Sequence, residues 1–123
     1  MTKRSRFSFA ETIAKLRDAM ADGGNTIFAT IDQAAAANEV GLTLRPTTLI
    51  VFGNPRGGTP LMDAFPLVAL ELPLKLLVWE ENGSVNVAYM PASEIAARYG
   101  IPEMDARVAA IDRAVDALID RVT

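Results

Sequence analysis

The chain contains no cysteine and no histidine. The first absence removes disulfides, thiolate nucleophiles and cysteine-based zinc sites. The second removes the usual general base and the commonest transition-metal ligand, so Ser-His-Asp and Cys-His machinery are excluded outright. Long hydrophobic runs are missing too. The apolar stretches fall far short of the roughly 20 residues that a transmembrane helix requires. Met1-Thr2-Lys3-Arg4-Ser5-Arg6 is basic but no apolar segment follows it, so it does not read as a secretory signal. A cytoplasmic location is the simplest expectation.

Concentrated positive charge is also scarce. The net charge is −3, with seven Lys/Arg against five Asp/Glu in residues 1–61 and five against ten in residues 62–123. Lys3, Arg4 and Arg6 form the one basic cluster, and only Phe7 and Phe9 accompany it. Nucleic-acid binding needs a broader basic surface with more stacking aromatics. The cluster therefore reads as a solvated terminus, and residues 1–6 as a flexible tail. What is present is ordinary globular composition: 50% hydrophobic and 22% charged over 123 residues, the commonest size for one domain.

Ser8-Phe9-Ala10-Glu11 is a capping-box pattern. Phe9, Ile13, Leu16 and Met20 follow at helical spacing, until Gly23-Gly24 ends the run. Thr26 to Ile31 predicts a strand, and Asp32 caps a short alanine-rich helix closed by Gly41. Pro46 opens a buried strand, Thr47–Phe52. Thr59-Pro60 reads as N-cap and first residue of the next helix, which Pro66 interrupts. Leu74–Glu80 and Val85–Met90 flank Asn82-Gly83, the strongest hairpin signal in the chain. Pro91–Arg98 predicts a helix ended by Gly100. Pro102 opens a last helix, with Met104, Val108, Ile111, Val115, Leu118 and Val122 on one stripe.

These elements predict a single α+β domain over residues 1–123. It is a two-layer sandwich of a mainly antiparallel sheet with helices on one face. Leu74, Leu76 and Val78 alternate with Leu77 and Trp79, so this strand is apolar on both faces and needs cover on both. With few helices to spare, a second copy of the chain is the expected cover.

The run Leu49-Ile50-Val51-Phe52-Gly53-Asn54-Pro55-Arg56-Gly57-Gly58-Thr59-Pro60-Leu61 carries the main candidate site. An apolar strand stops at a turn rich in glycine and proline with one arginine. It matches neither a Walker loop nor a dinucleotide fingerprint. Free N–H groups before a helix, with Arg56, suit a carboxylate or phosphate. The plainer reading is a constrained strand-to-helix turn, with Asn54 bonding its own backbone. Asp32, at another strand-to-helix junction, is either a cap or a carboxylate facing the same strand ends as Asn54, salt-linked to Arg45 or Arg56. Asp112, Asp116 and Asp120 make a carboxylate row that reads as a solvated face. Trp79 and Tyr89 are expected near each other across the hairpin, as core or seam packing or as a stacking surface.

The sequence resembles a bacterial family known only as domain of unknown function number 302. The resemblance rests on Thr30-Ile31-Asp32, Glu39-Val40-Gly41-Leu42, Phe52-Gly53-Asn54-Pro55, Gly58-Thr59-Pro60-Leu61-Met62, Leu72-Pro73-Leu74-Lys75 and Val78-Trp79-Glu80. It covers most of residues 10 to 100. It implies a compact α/β fold that pairs as a homodimer, and no reaction. Relatives often carry histidine where this chain has Gln33 and Tyr99. In another branch, cysteines stand where it has Gly53 and Leu74. Tyr99 is a poor base at neutral pH but a useful hydrogen-bond donor.

The expectation is a homodimeric binding or interaction module with no catalytic residues, no metal and no cofactor. Its partners would be a second copy and a small anionic metabolite, not nucleic acid or membrane. The candidate ligand-binding residues are Asp32, Asn54, Arg56, Thr59 and Tyr99. The alternative is a small hydrolase-like enzyme with Asp32 as acid/base and Arg56 as electrostatic clamp.

Overall fold

A computed structural model of the chain describes residues 1–102 and 104–123. The described elements run β1 (Thr2–Arg4), α1 (Phe9–Asp22), β2 (Thr26–Asp32), α2 (Gln33–Glu39), β3 (Thr47–Gly53) and α3 (Pro55–Ala64). A 3₁₀ turn (Pro66–Leu70), β4 (Leu74–Glu81), β5 (Ser84–Tyr89), α4 (Ala92–Arg98) and α5 (Ala106–Asp120) complete them. The sheet has five antiparallel strands in the order β1-β5-β4-β3-β2, an α+β architecture as the sequence predicts.

The termini of these elements follow local chemistry. The Ser8 hydroxyl accepts the Glu11 N–H at 3.2 Å and starts α1. The Glu11 carboxylate then accepts from the Ser8 hydroxyl instead of reaching the backbone, a variant of the expected box. Asp32 accepts the Ala35 N–H at 2.9 Å and starts α2. Asn82 and Gly83 both have positive φ, 52° and 80°, the geometry of a two-residue hairpin turn of the primed type.

Strand alternation sorts the sheet into two faces. Ile50, Phe52, Leu76, Val78, Val85 and Val87 are buried on one face. There they meet Leu16 and Met20 of α1 and Val115, Leu118 and Ile119 of α5. A second cluster gathers Leu61, Val68, Ile95, Ile101 and Val108 between α3, the 3₁₀ turn, α4 and α5. On the other face, pairing aligns Ile31, Leu49, Leu77 and Ala88 in one row across four strands. Val51 and Trp79 flank that row, and its members are half-buried or exposed.

Several expectations are corrected. Residues 2–4 are not a tail: they pair with Asn86–Ala88 as the edge strand β1. Behind it, buried Ser5 bonds to Thr12 at 2.6 Å. Lys3 and Arg4 on a short edge are a usual guard against further strand pairing. Trp79 stands opposite Asn86 while Tyr89 stands opposite Leu76, so the two aromatics lie on opposite faces. The last helix starts at Asp105, which caps it, and Met104 lies outside it, exposed.

The carboxylate row on α5 is only partly solvated. Asp112 accepts the N–H groups of Ala92 (2.6 Å) and Ser93 (3.2 Å), capping α4, whose own N-cap residue, Pro91, has no side-chain acceptor. Asp116 accepts the Tyr89 hydroxyl at 2.6 Å. Burial first, then this bond and the neighbouring carboxylates, push the Tyr89 phenol well above its usual pKa.

Arg107 closes the gap between α5 and α3. Its guanidinium holds Asp105 at 2.7 and 3.0 Å and donates to the Pro60 carbonyl at 3.4 Å. The side-chain bond to Arg107, then its backbone N–H, pull the Asp105 carboxyl from an ordinary 3.8 down to about 2.

Two predictions follow from these contacts. Asp112→Ala leaves two amides of α4 without an acceptor and should cost about 1–3 kcal/mol in urea unfolding. Because the Asp105 pKa is depressed on folding, its stabilisation is fully present above about pH 4 and drains away toward about pH 2. Asp105→Asn should therefore lie below the native chain in melting temperature at pH 6 and converge with it by about pH 2.

Candidate functional site

The Gly-rich segment does not form the open loop that its composition suggests. Helix α3 begins at Pro55, five residues earlier than the Thr59-Pro60 signal implies, and Asn54 is its cap. Asn54 Oδ1 accepts the Arg56 N–H at 3.0 Å, and its backbone oxygen accepts those of Gly57 and Gly58 at 2.9 Å each. Pro55 has no N–H to offer. The donors that would grip an anion are thus already used. The helix dipole still favours negative charge here, but by only about 0.3–1 kcal/mol at a surface.

Above this helix start lies a pocket of about 170 Å³, at the seam between the two apolar clusters, which Leu74 and Ile111 bridge. Its walls come from the end of β3 (Phe52, Gly53), from α3 (Asn54, Gly57, Gly58, Thr59, Met62), from Leu72–Leu74, and from α5 (Ile111, Ala114, Val115, Leu118). Asn25 and Phe28 complete it from the β2 side. No charged side chain is among these residues.

Phe28 reaches this mouth through a β-bulge. Ile27 pairs with Phe52 and Ala29 with Val51, which leaves Phe28 without a partner on β3. The bulge turns its ring toward Gly53 and Pro73, and the side chain remains about half exposed. Bulges commonly re-aim a side chain next to a binding site. Asn25, at the α1–β2 turn, donates its side-chain amide to the Met20 carbonyl at 3.1 Å. Its Oδ1 is left as an acceptor.

Of the five residues selected from the sequence, Asn54 and Thr59 line this pocket. Arg56 is exposed and does not. Asp32 is exposed and faces Thr48, whereas Gly53 faces Thr26. Five residues of strand, at about 3.3 Å each, separate the two ends by roughly 16 Å. Asp32 and Asn54 thus sit at opposite ends of the strand pair, and no Asp32–Arg45 or Asp32–Arg56 ion pair forms among the described residues; Arg45 instead approaches Glu81 at 4.0 Å.

Tyr99 donates to Glu71 at 3.0 Å beside Arg98, a surface clasp holding α4 to the segment before β4. Burial and this bond raise its pKa, with Arg98 opposing. The walls from α5 and the bulged Phe28 escaped sequence reading. Adjacent Ile27 and Phe28, breaking strict alternation, are the one local signal of that bulge.

The chain matches the model of the "domain of unknown function DUF302" family over residues 1–122. A crystal structure of an uncharacterized conserved DUF302 protein from Bacillus stearothermophilus superposes with a TM-score of 0.92. It covers 100% of this chain and 97% of that one at 22% identity, a likeness of fold. Two Brucella proteins, each called fluoride-specific ion channel FluC 1, from Brucella suis and Brucella abortus, are 38% identical over 102 residues. The match takes in 82% of this chain but only 40% and 38% of theirs, so the chain spans about two fifths of the length of these curated relatives. None of its described helices is long and apolar enough to cross a membrane. By its match over nearly every residue, this chain belongs to the DUF302 family.

Proposed function

We propose that the chain is a cytoplasmic, homodimeric module that binds a small molecule and carries out no chemistry on it. The observation that carries this reading is the apolar pocket at the start of α3. An enclosed void of 170 Å³ would cost on the order of 4 kcal/mol to keep empty, an upper bound for a pocket open on one side. A ligand recovers part of that. Among the described residues around the pocket there is no acid, base or nucleophile poised for catalysis. Asp32, the one acid/base candidate, is an exposed helix cap.

The dimer rests on the row Ile31, Leu49, Leu77 and Ala88, with Val51 and Trp79 beside it. An apolar sheet face finds its natural cover in another sheet stacked about 10 Å away. A second copy supplies one, and a self-complementary patch gives a closed pair. In the Brucella relatives a channel pore needs membrane-crossing elements that this chain's described helices do not offer. We therefore assign the shared segment a role beside the pore.

A screen of small molecules of mixed charge, read by melting temperature, tests the binding half. A ligand at about a hundred times its Kd adds about 2.7 kcal/mol, a rise of several degrees. Ala114→Phe, which places a ring in the pocket from the surface of α5, should abolish the rise with little change in the unliganded protein. Arg56→Ala should leave both untouched. Light scattering at micromolar concentration should give twice the chain mass, and Leu77→Lys should halve it while retaining the fold. A monomeric native chain would refute the dimer and leave the pocket standing.

A further inference from the structure

The lining of the pocket restricts what can enter it, beyond the general statement that something does. Phe28, Phe52, Met62, Leu72, Ile111 and Leu118 supply apolar walls, and no ionisable side chain among the described residues lines the space. The amides at the start of α3 are already bound to Asn54. A charged group placed here would lose water and gain neither a counter-charge among the described residues nor the first-turn amides of α3, which Asn54 already holds. The polar capacity that remains is neutral. The Asn54 Nδ2 amide, whose partner Oδ1 is occupied, has no acceptor among the described residues, and Thr59 lines the same space.

Size narrows the class further. An engineered cavity of about 150 Å³ lined by Leu, Ile and Phe accepts benzene. A space of about 170 Å³ suits one six-membered ring with a small substituent. We propose that the pocket selects uncharged ring compounds bearing one hydrogen-bond acceptor, an aromatic amide, ketone or alcohol, and rejects the corresponding carboxylates. This rests on the small-molecule reading above and replaces the anionic metabolite expected from the glycine-rich sequence.

Benzamide and benzoate are nearly isosteric and differ in charge at pH 7, so titration calorimetry with this pair isolates the claim, with toluene as the apolar reference. Benzamide should bind at least about tenfold more tightly than benzoate, since burying an ion without a partner is unfavourable. Asn54→Asp keeps the α3 cap but loses the Nδ2 donor. It should weaken benzamide several-fold and leave toluene unchanged, while its melting temperature without ligand shows that the fold persists. Benzoate binding as tightly as benzamide, and lost in Ala114→Phe, would overturn the neutral class yet uphold a binding pocket. Absence of binding by all three compounds, or binding that Ala114→Phe does not affect, would overturn both.

Discussion

One side chain and its own carbonyl govern the pocket end of this molecule. Asn54 collects three amide protons from the first turn of α3, one on Oδ1 and two on its backbone oxygen. Helix starts carry unsatisfied N–H groups that must find acceptors. Here a single residue meets that need, and the helix begins at the strand's end with no intervening loop. Prolines and glycines that would elsewhere make an open anion cradle become the first turn of a helix. The electrostatic character of the pocket follows: a positive helix end whose directional donors face inward, beneath an apolar bowl.

The sheet divides its labour between two faces. Helices α1 and α5 cover one, where Phe52, Ile50, Leu76 and Val78 are almost fully buried. Each such side chain contributes roughly 1.5–3 kcal/mol by leaving water. The opposite face keeps an aligned apolar row that the chain's own main core does not use. The pocket lies on the helix-covered face, where Phe52, Val115 and Leu118 of the main core line it. It arises at the end of β3, where α5 runs on from the main core into the second cluster, with Ile111 packed against both.

Elements governed by neighbouring residues were legible in the sequence. Ser8 with Glu11, Asp32 with Ala35, and Asn82 with Gly83 each act within three residues, so composition at those positions reports structure directly. The start of α3 was ambiguous because two prolines each follow a capping residue, Asn54-Pro55 and Thr59-Pro60. The rule fits both, and only the geometry of Asn54, with acceptors on side chain and backbone alike, selects the first. The strand β1 was hidden because three polar residues on an edge carry no hydrophobic alternation. The pocket was half legible: Asn54 and Thr59 lie in a conspicuous segment, but Ala114 and Leu118 come from some sixty residues away. Nothing local marks them as its wall.

The strand β2 contains one residue more than its ladder with β3 requires. Ile27 opposite Phe52 and Ala29 opposite Val51 would be consecutive pairs in a regular ladder, and every later pair down to Asp32–Thr48 would keep its place without Phe28. The surplus residue therefore fixes no register. It interrupts regular edge pairing, and what it adds is an aromatic ring at the rim beside Gly53 and Pro73. Shortening the chain by this single residue would restore a straight strand and preserve the apolar row on the far face. Opening the rim is thus separable, by chain length alone, from the surface through which two copies would meet.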